Sequence, residues 1–229
     1  MRKAGFFLIL VFVVLVVVFC FKVSKISSIE CVSQFTKCNG NTLASIEKVE
    51  KSSIVATKIN LKKALSDDPL VKKYSLQLKL NGKYIVLIEE RIPKYCLKSN
   101  NENYFFDSDS VLIKINGGEN IKCIEESGIS YKLRDRLNNK DSFLQNVFYN
   151  MRNISDLGRA YVENENLIVE YKGKTKLIFP TEGDAEVLAG KAYYTVSQFD
   201  KIEKYIIDIG NLSVSEIDFR YKDPVVRFI

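Results

Sequence analysis

The run Ala4 to Phe21 constrains this chain more than any other stretch, because its 18 consecutive residues carry no charge and are mostly Val, Phe, Leu and Ile. At 1.5 Å of rise per residue a helix over it spans about 27 Å, close to the ~30 Å hydrocarbon layer of a bilayer, and a helix satisfies its own backbone polar groups there. A single transmembrane helix over 4–21 is the expectation, after a short cytoplasmic tail of residues 1–3. Arg2 and Lys3 also suit the charged start of a cleaved signal peptide. Against cleavage, the run is longer than a usual signal core, no small-x-small pair follows it, and Phe19 before Cys20 does not suit a lipoprotein site. Arg2 and Lys3 on one side nearly balance Lys22 and Lys25 on the other. The bulk of the chain, residues 22–229, is expected outside the cytoplasm.

Roughly 200 residues after the run are enough for two small domains or one of ordinary size. The net charge of +6 comes from 34 basic and 28 acidic residues scattered without a dense Lys/Arg block, which argues against a nucleic-acid partner. Histidine is absent, removing the commonest general base, the Ser/His and Cys/His nucleophile pairs and the commonest metal ligand. There is no G-x-S-x-G, no Walker-type glycine loop and no Cys-x-x-Cys. The expectation is a non-enzyme without cofactor, metal or small-molecule substrate.

Of five cysteines, Cys20 lies in the apolar run, leaving Cys31, Cys38, Cys96 and Cys123. In an oxidising compartment Cys31 with Cys38 closes a short loop, worth about 2 to 3 kcal/mol by chain entropy, and Cys96 with Cys123 makes a second bridge. Spacing alone does not fix the pairing, and free buried thiols in a reducing niche are the alternative.

Residues 22–28 are short and polar and read as a linker. A first domain over 29–92 follows in the order strand, helix, helix, strand, strand. Its strand fits Ile29 to Phe35; Leu43, Ile46 and Val49 give a helix begun at Asn41 or Thr42. A second helix starts near the cap candidate Asn60, carries Leu61, Ala64 and Leu65 on one face and stops at Asp67-Asp68-Pro69. Val71 to Leu80 and Lys83 to Glu89 are strand-like around Asn81-Gly82, the favoured pair for a two-residue type I′ turn. From Pro93 the texture becomes mainly β with two helices, a second domain over 93–229. Hairpins are expected around Asp107 to Ser110 and around Lys172-Gly173, helices over Asp141 to Met151 and Ser197 to Ile209, and final strands over Val214 to Tyr221 and Val225 to Ile229.

The segment Glu90-Arg91-Ile92-Pro93, after Asp68-Pro69-Leu70-Val71, resembles the signature that closes the membrane-proximal POTRA domain of the FtsQ/DivIB bacterial cell-division proteins. Lys201 to Ile209 followed by Glu216-Ile217-Asp218-Phe219-Arg220-Tyr221 is similar to that family's last helix and its Ile-Asp-Leu-Arg-Tyr strand. The resemblance covers nearly the whole chain. It departs at Asn81-Gly82, where the family often has proline, in lacking a glycine near Asp107, and in its cysteines. It implies an α+β architecture: the transmembrane helix, a POTRA-like β-α-α-β-β domain, then a mainly antiparallel β domain with two helices. It further implies a single-pass protein of the plasma membrane at the division septum, recruiting FtsB/FtsL-type (DivIC/FtsL) coiled-coil division proteins.

A C-terminal strand with nothing downstream to cover it is expected to be a sheet edge, offering unpaired N–H and C=O groups to a partner strand. The candidate docking residues are Phe219, Tyr221, Val225, Val226 and Phe228, with closure of the β core as the alternative role. For Glu90 and Arg91 an exposed ion pair and a partner contact stand side by side. Two further functions compete: a POTRA-like assembly or transport factor of the envelope, and a membrane-tethered hydrolase using Asp107 and Asp109, although paired aspartates in a turn are usually turn formers.

Overall fold

Local signals and hydrophobic alternation build two units, Met1–Arg91 and Ile92–Ile229, in an α+β chain. The computed structural model describes residues 11–13, 25–117, 120–210 and 213–229, with the backbone alone at 200 and 202–210.

In the first unit β1 (Ser28–Ser33), α1 (Gly40–Glu47), α2 (Ile54–Asp67), β2 (Val71–Lys79) and β3 (Lys83–Glu90) follow in chain order. The sheet runs β1-β3-β2, with β1 parallel and β2 antiparallel to β3. A parallel pair needs a crossover, which the two helices supply. Tyr84, Val86 and Ile88 alternate along β3 and are buried, so one face of the sheet meets Ile46 of α1 and Leu61 and Leu65 of α2 in a single core.

Three expectations for this unit change. Residues 25–28 are not linker: Ile26 is a core residue whose N–H donates to the Ser52 carbonyl, and Lys25 bridges Ser53. The second helix starts at Ile54, not near Asn60, because Ser53 caps it by accepting from the Ala56 N–H. The β2–β3 loop has three residues, since Lys79 pairs with Lys83. There Gly82, at φ 71°, takes the left-handed position of a three-residue loop instead of a type I′ turn.

The second unit contains β4 (Tyr95–Ser99), β5 (Glu102–Phe106), β6 (Leu112–Ile115), β7 (Ile124–Glu125), α3 (Asn139–Asn150), β8 (Leu157–Glu163), β9 (Asn166–Tyr171), β10 (Thr175–Phe179), α4 (Ala185–Gly210), β11 (Val214–Asp218) and β12 (Val225–Phe228). They form a nine-stranded sheet in the order β12-β11-β10-β9-β8-β7-β4-β5-β6. Five pairings are antiparallel and three parallel, at β10–β11, β4–β7 and β7–β8. The sheet is therefore mixed, with antiparallel pairs in the majority. Hairpins make the antiparallel neighbours, while longer returns, α4 among them, make the parallel ones. Leu144, Val147 and Phe148 of α3 and Leu188, Ala192 and Val196 of α4 pack with β8 to β11 in one core. A smaller cluster under β4 to β6 holds Leu97, Phe106, Leu112 and Leu137.

The transmembrane helix expected over 4–21 is not supported. Among the described residues no helix is long and apolar enough to cross a membrane. Of that stretch only residues 11–13 are described, and they are helical; the tail 1–3 and residues 22–24 lie outside the described residues. The longest described helix, α4, has 26 residues, a span of about 39 Å, but places Glu186, Lys191, Lys201 and Glu203 along it.

Candidate functional site

The last two strands make one end of the large sheet. β12 pairs antiparallel with β11 through Val214↔Phe228, Glu216↔Arg227, Ile217↔Val226 and Asp218↔Val225. Ser213 and Ile229 exchange both backbone hydrogen bonds, each at 2.9 Å. Antiparallel geometry alternates the direction of these groups, so Arg227 points its N–H and C=O inward with Ile229, while Val226 and Phe228 point theirs outward. Among the described residues no strand pairs with that outer side.

Most side chains on this edge are apolar and open, and the one charged residue of β12, Arg227, is exposed and donates to the Glu216 carboxylate at 2.7 Å. Tyr221, Val225, Phe228 and Ile229 are all exposed, and Val226 is half-buried against the core. Phe219 is not available: it is 1 % exposed and stacks on Phe179 with ring centroids 4.9 Å apart. Its place among the docking residues is corrected, since the strand's alternation turns it into the core. The β11 end is fixed by Asp218, fully buried, which accepts from the Arg220 backbone N–H at 3.1 Å and its guanidinium at 2.9 and 2.6 Å. Those bonds hold the Asp218 carboxyl below the usual carboxylate range. Beside the hairpin, the Lys191 ammonium donates to the Lys222 carbonyl at 2.9 Å, which brings up the α4 stripe of Val187 and Tyr194, both exposed.

In the first unit β2 is also a sheet edge. Between it and α2 lies a groove lined by Val55, Ile59, Leu76 and Leu78 and flanked by Lys58 and Lys62. Glu90 works within this unit. Its carboxylate accepts from the Asn39 N–H at 2.6 Å, and its backbone exchanges hydrogen bonds with the Gln34 amide at 2.9 and 2.8 Å. The Arg91 N–H donates to the Leu70 carbonyl at 2.7 Å. The bonds of Glu90 and the backbone of Arg91 fasten the end of β3 to the loops around it.

The cysteines form two disulfides, Cys31–Cys38 and Cys96–Cys123, with Cα separations of 5.8 and 4.4 Å. Asp107 and Asp109 do not converge. Asp107 is buried, and its carboxylate accepts from the N–H groups of Asp109 and Val111, each at 2.9 Å, which is the work of a turn former. Asp109 is exposed. Among the described residues no group of three or more acids or cysteines is placed to hold a metal ion.

No protein-family model matches the chain, and no curated protein is similar to it.

Proposed function

We propose that this chain is an extracytoplasmic protein–protein scaffold of the FtsQ/DivIB kind, acting at the division site without catalysis and docking FtsB/FtsL-type coiled-coil proteins along β12. The observation that carries the reading is the outer side of β12, with which no described strand pairs and where Val226 and Phe228 direct backbone donors and acceptors away from the sheet beside exposed Tyr221, Val225 and Phe228. Such an edge accepts an added strand, with main-chain bonds giving affinity and the flanking apolar side chains giving selectivity. Two disulfides support a location outside the reducing cytoplasm. The sequence likeness at Glu90 to Pro93 and at Glu216 to Tyr221 supplies the partner class.

Removing Lys222 to Ile229 tests it. The shortened chain should keep its fold by circular dichroism and lose co-purification of the FtsB/FtsL-type pair. Retained capture removes β12 as the docking edge.

The groove beside β2 favours a second reading, an envelope assembly factor that handles extended polypeptides through its first unit. A fluorescent fusion concentrated at the septum supports the scaffold; uniform envelope fluorescence supports the assembly factor.

A further inference from the structure

A cleft in the second unit, away from β12, encloses about 320 Å³. Tyr95, Phe148 and Tyr149 supply apolar wall, and Lys94, Lys122 and Arg152 supply positive charge; the described lining contains no Asp or Glu. The volume sits at the lower end of the range for small-ligand sites, and a mainly apolar wall with a few polar groups is their usual make-up.

The cations are already in position. The Lys94 ammonium lies 4.8 Å from the Tyr95 ring centroid and 4.5 Å from that of Tyr149, and the Arg152 guanidinium lies 4.0 Å from the same Tyr149 ring. Two like charges thus share one aromatic ring, whose face attracts each of them without neutralising either. A bound anion would offset positive charge that no acid in the described lining neutralises. The Lys122 ammonium donates to the carbonyl of Leu157, another lining residue.

The walls are tied together. The Cys96–Cys123 disulfide joins the strand that carries Tyr95 to the segment that carries Lys122. Gln145, buried, donates from its amide nitrogen to the Cys96 carbonyl at 2.8 Å, and the Tyr95 hydroxyl donates to the side-chain amide oxygen of Asn146 at 2.7 Å. A cleft fixed in this way loses little freedom when a ligand enters.

We propose that this cleft binds a carboxylate carried on an aromatic or branched apolar group. The positive charge takes the carboxylate, and the aromatic wall takes the body beside it. Arg152 follows the C-terminal end of α3 and donates to the Tyr149 carbonyl at 3.0 Å, so the negative end of the helix dipole lies at the same region and opposes a dianion such as phosphate more than a singly charged carboxylate. The site stands independently of the docking edge.

Calorimetry on the full chain tests it with N-acetylphenylalanine, 3-phenylpropionate and the neutral N-acetylphenylalanine amide. Both acids should bind saturably, the amide about tenfold or more weaker, and salt at about 0.5 M should weaken the acids alone. Lys94→Gln and Arg152→Gln should each weaken the acids about fivefold or more, with the thermal melt of Lys94→Gln lowered by no more than its two cation–π contacts supply. Tighter binding of the acetylated acid than of 3-phenylpropionate assigns the site to a peptide C-terminus; equal binding assigns it to a free acid. No saturable binding of either acid up to about 10 mM, equal binding of acid and amide, or full binding by the Lys94→Gln, Arg152→Gln double variant overturns the proposal.

Discussion

At the β6 end of the large sheet the outer backbone is occupied. The Leu112 N–H donates to the Asp135 carbonyl at 2.8 Å, the Arg134 N–H returns to the Leu112 carbonyl at 2.9 Å, and the Leu137 N–H donates to the Ser110 carbonyl at 2.9 Å. Val111 bridges Arg136 in the same strap, and Leu137 is buried in the cluster below. At the β12 end no described segment does this work, and apolar side chains flank the open backbone. Unprotected edges invite aggregation, and proteins usually cover or charge them. Among the described residues one end of the sheet is strapped and the other is not, which is what an edge kept for a partner requires.

β7 contributes only two residues, paired with Leu97 and Lys98 on one side and Ala160 and Tyr161 on the other. Beside it the Cys96–Cys123 bridge closes a separation of 27 residues. Replacing both cysteines by alanine should lower stability in urea by about 3 to 4 kcal/mol on the chain-entropy estimate and should weaken both ends together. If unfolding then resolves into two transitions, the halves on either side of β7 are separable. Next in size is Leu137→Ala, which removes a buried anchor of the strap and should cost about 2 to 4 kcal/mol. It should also raise self-association in sedimentation, because a second edge is released. A variant that is destabilised yet associates no more than the parent would show that the strap only packs and does not protect.

Much of this plan is legible in the sequence, and the failures have physical causes. Alternation along Tyr84, Val86 and Ile88 and the helical spacing of Leu61 and Leu65 mark the first unit, because burial on one face dictates the pattern. The turns are less readable. Asn81-Gly82 carries the standard type I′ pair yet adopts a three-residue loop, while both residues of Asn100-Asn101 and of Asn164-Glu165 have positive φ in two-residue connections. Asparagine tolerates the left-handed region, but register, set by packing of the flanking strands, decides where it is used. The first half of α4 was open to reading. Asp184 caps it through the Glu186 and Val187 N–H groups, and Leu188, Ala192 and Val196 follow at helical spacing. At the docking edge, Val225 and Phe228 are exposed as a terminal strand predicts, but Phe219, one strand earlier, follows the alternation of β11 into the core. The cation cleft had no signal, since Lys94, Lys122 and Arg152 are far apart in sequence and meet only through the disulfide and α3.

At the base of the bare edge, Asp218 and Arg220 add a pH dependence. A carboxylate held below its ordinary value contributes stability above about pH 4, where the unfolded group is ionised, and loses it as pH falls through the folded value. Asp218→Asn should cost about 1 to 2 kcal/mol at neutral pH, a figure kept low because the Arg220 side chain is 37 % exposed. It should also flatten the acid side of the stability curve below about pH 4. The part contributed by Glu125, lowered by its hydrogen bonds to Arg159, should remain. An unchanged acid limb would mean that the Asp218–Arg220 pair does not survive in solution.

The smallest stability effect is expected from the change with the sharpest consequence for function. By the alternation set at Ser213 and Ile229, the Phe228 N–H points away from β11. Proline there removes that donor without breaking an inner bond, as proline is tolerated on edge strands whose N–H faces solvent. Phe228→Pro should therefore melt within about 1 kcal/mol of the parent while weakening partner capture at least about tenfold, through the lost donor and a blocked approach. Leu112→Pro at the strapped end should do the reverse. Leu112 is fully buried and its N–H donates to Asp135, so proline there should cost several kcal/mol while leaving capture by the surviving folded fraction intact. If Phe228→Pro is the more destabilising of the two, the outward direction assigned to Val226 and Phe228 is wrong; if it is mild and capture persists, the edge is bare for some reason other than docking.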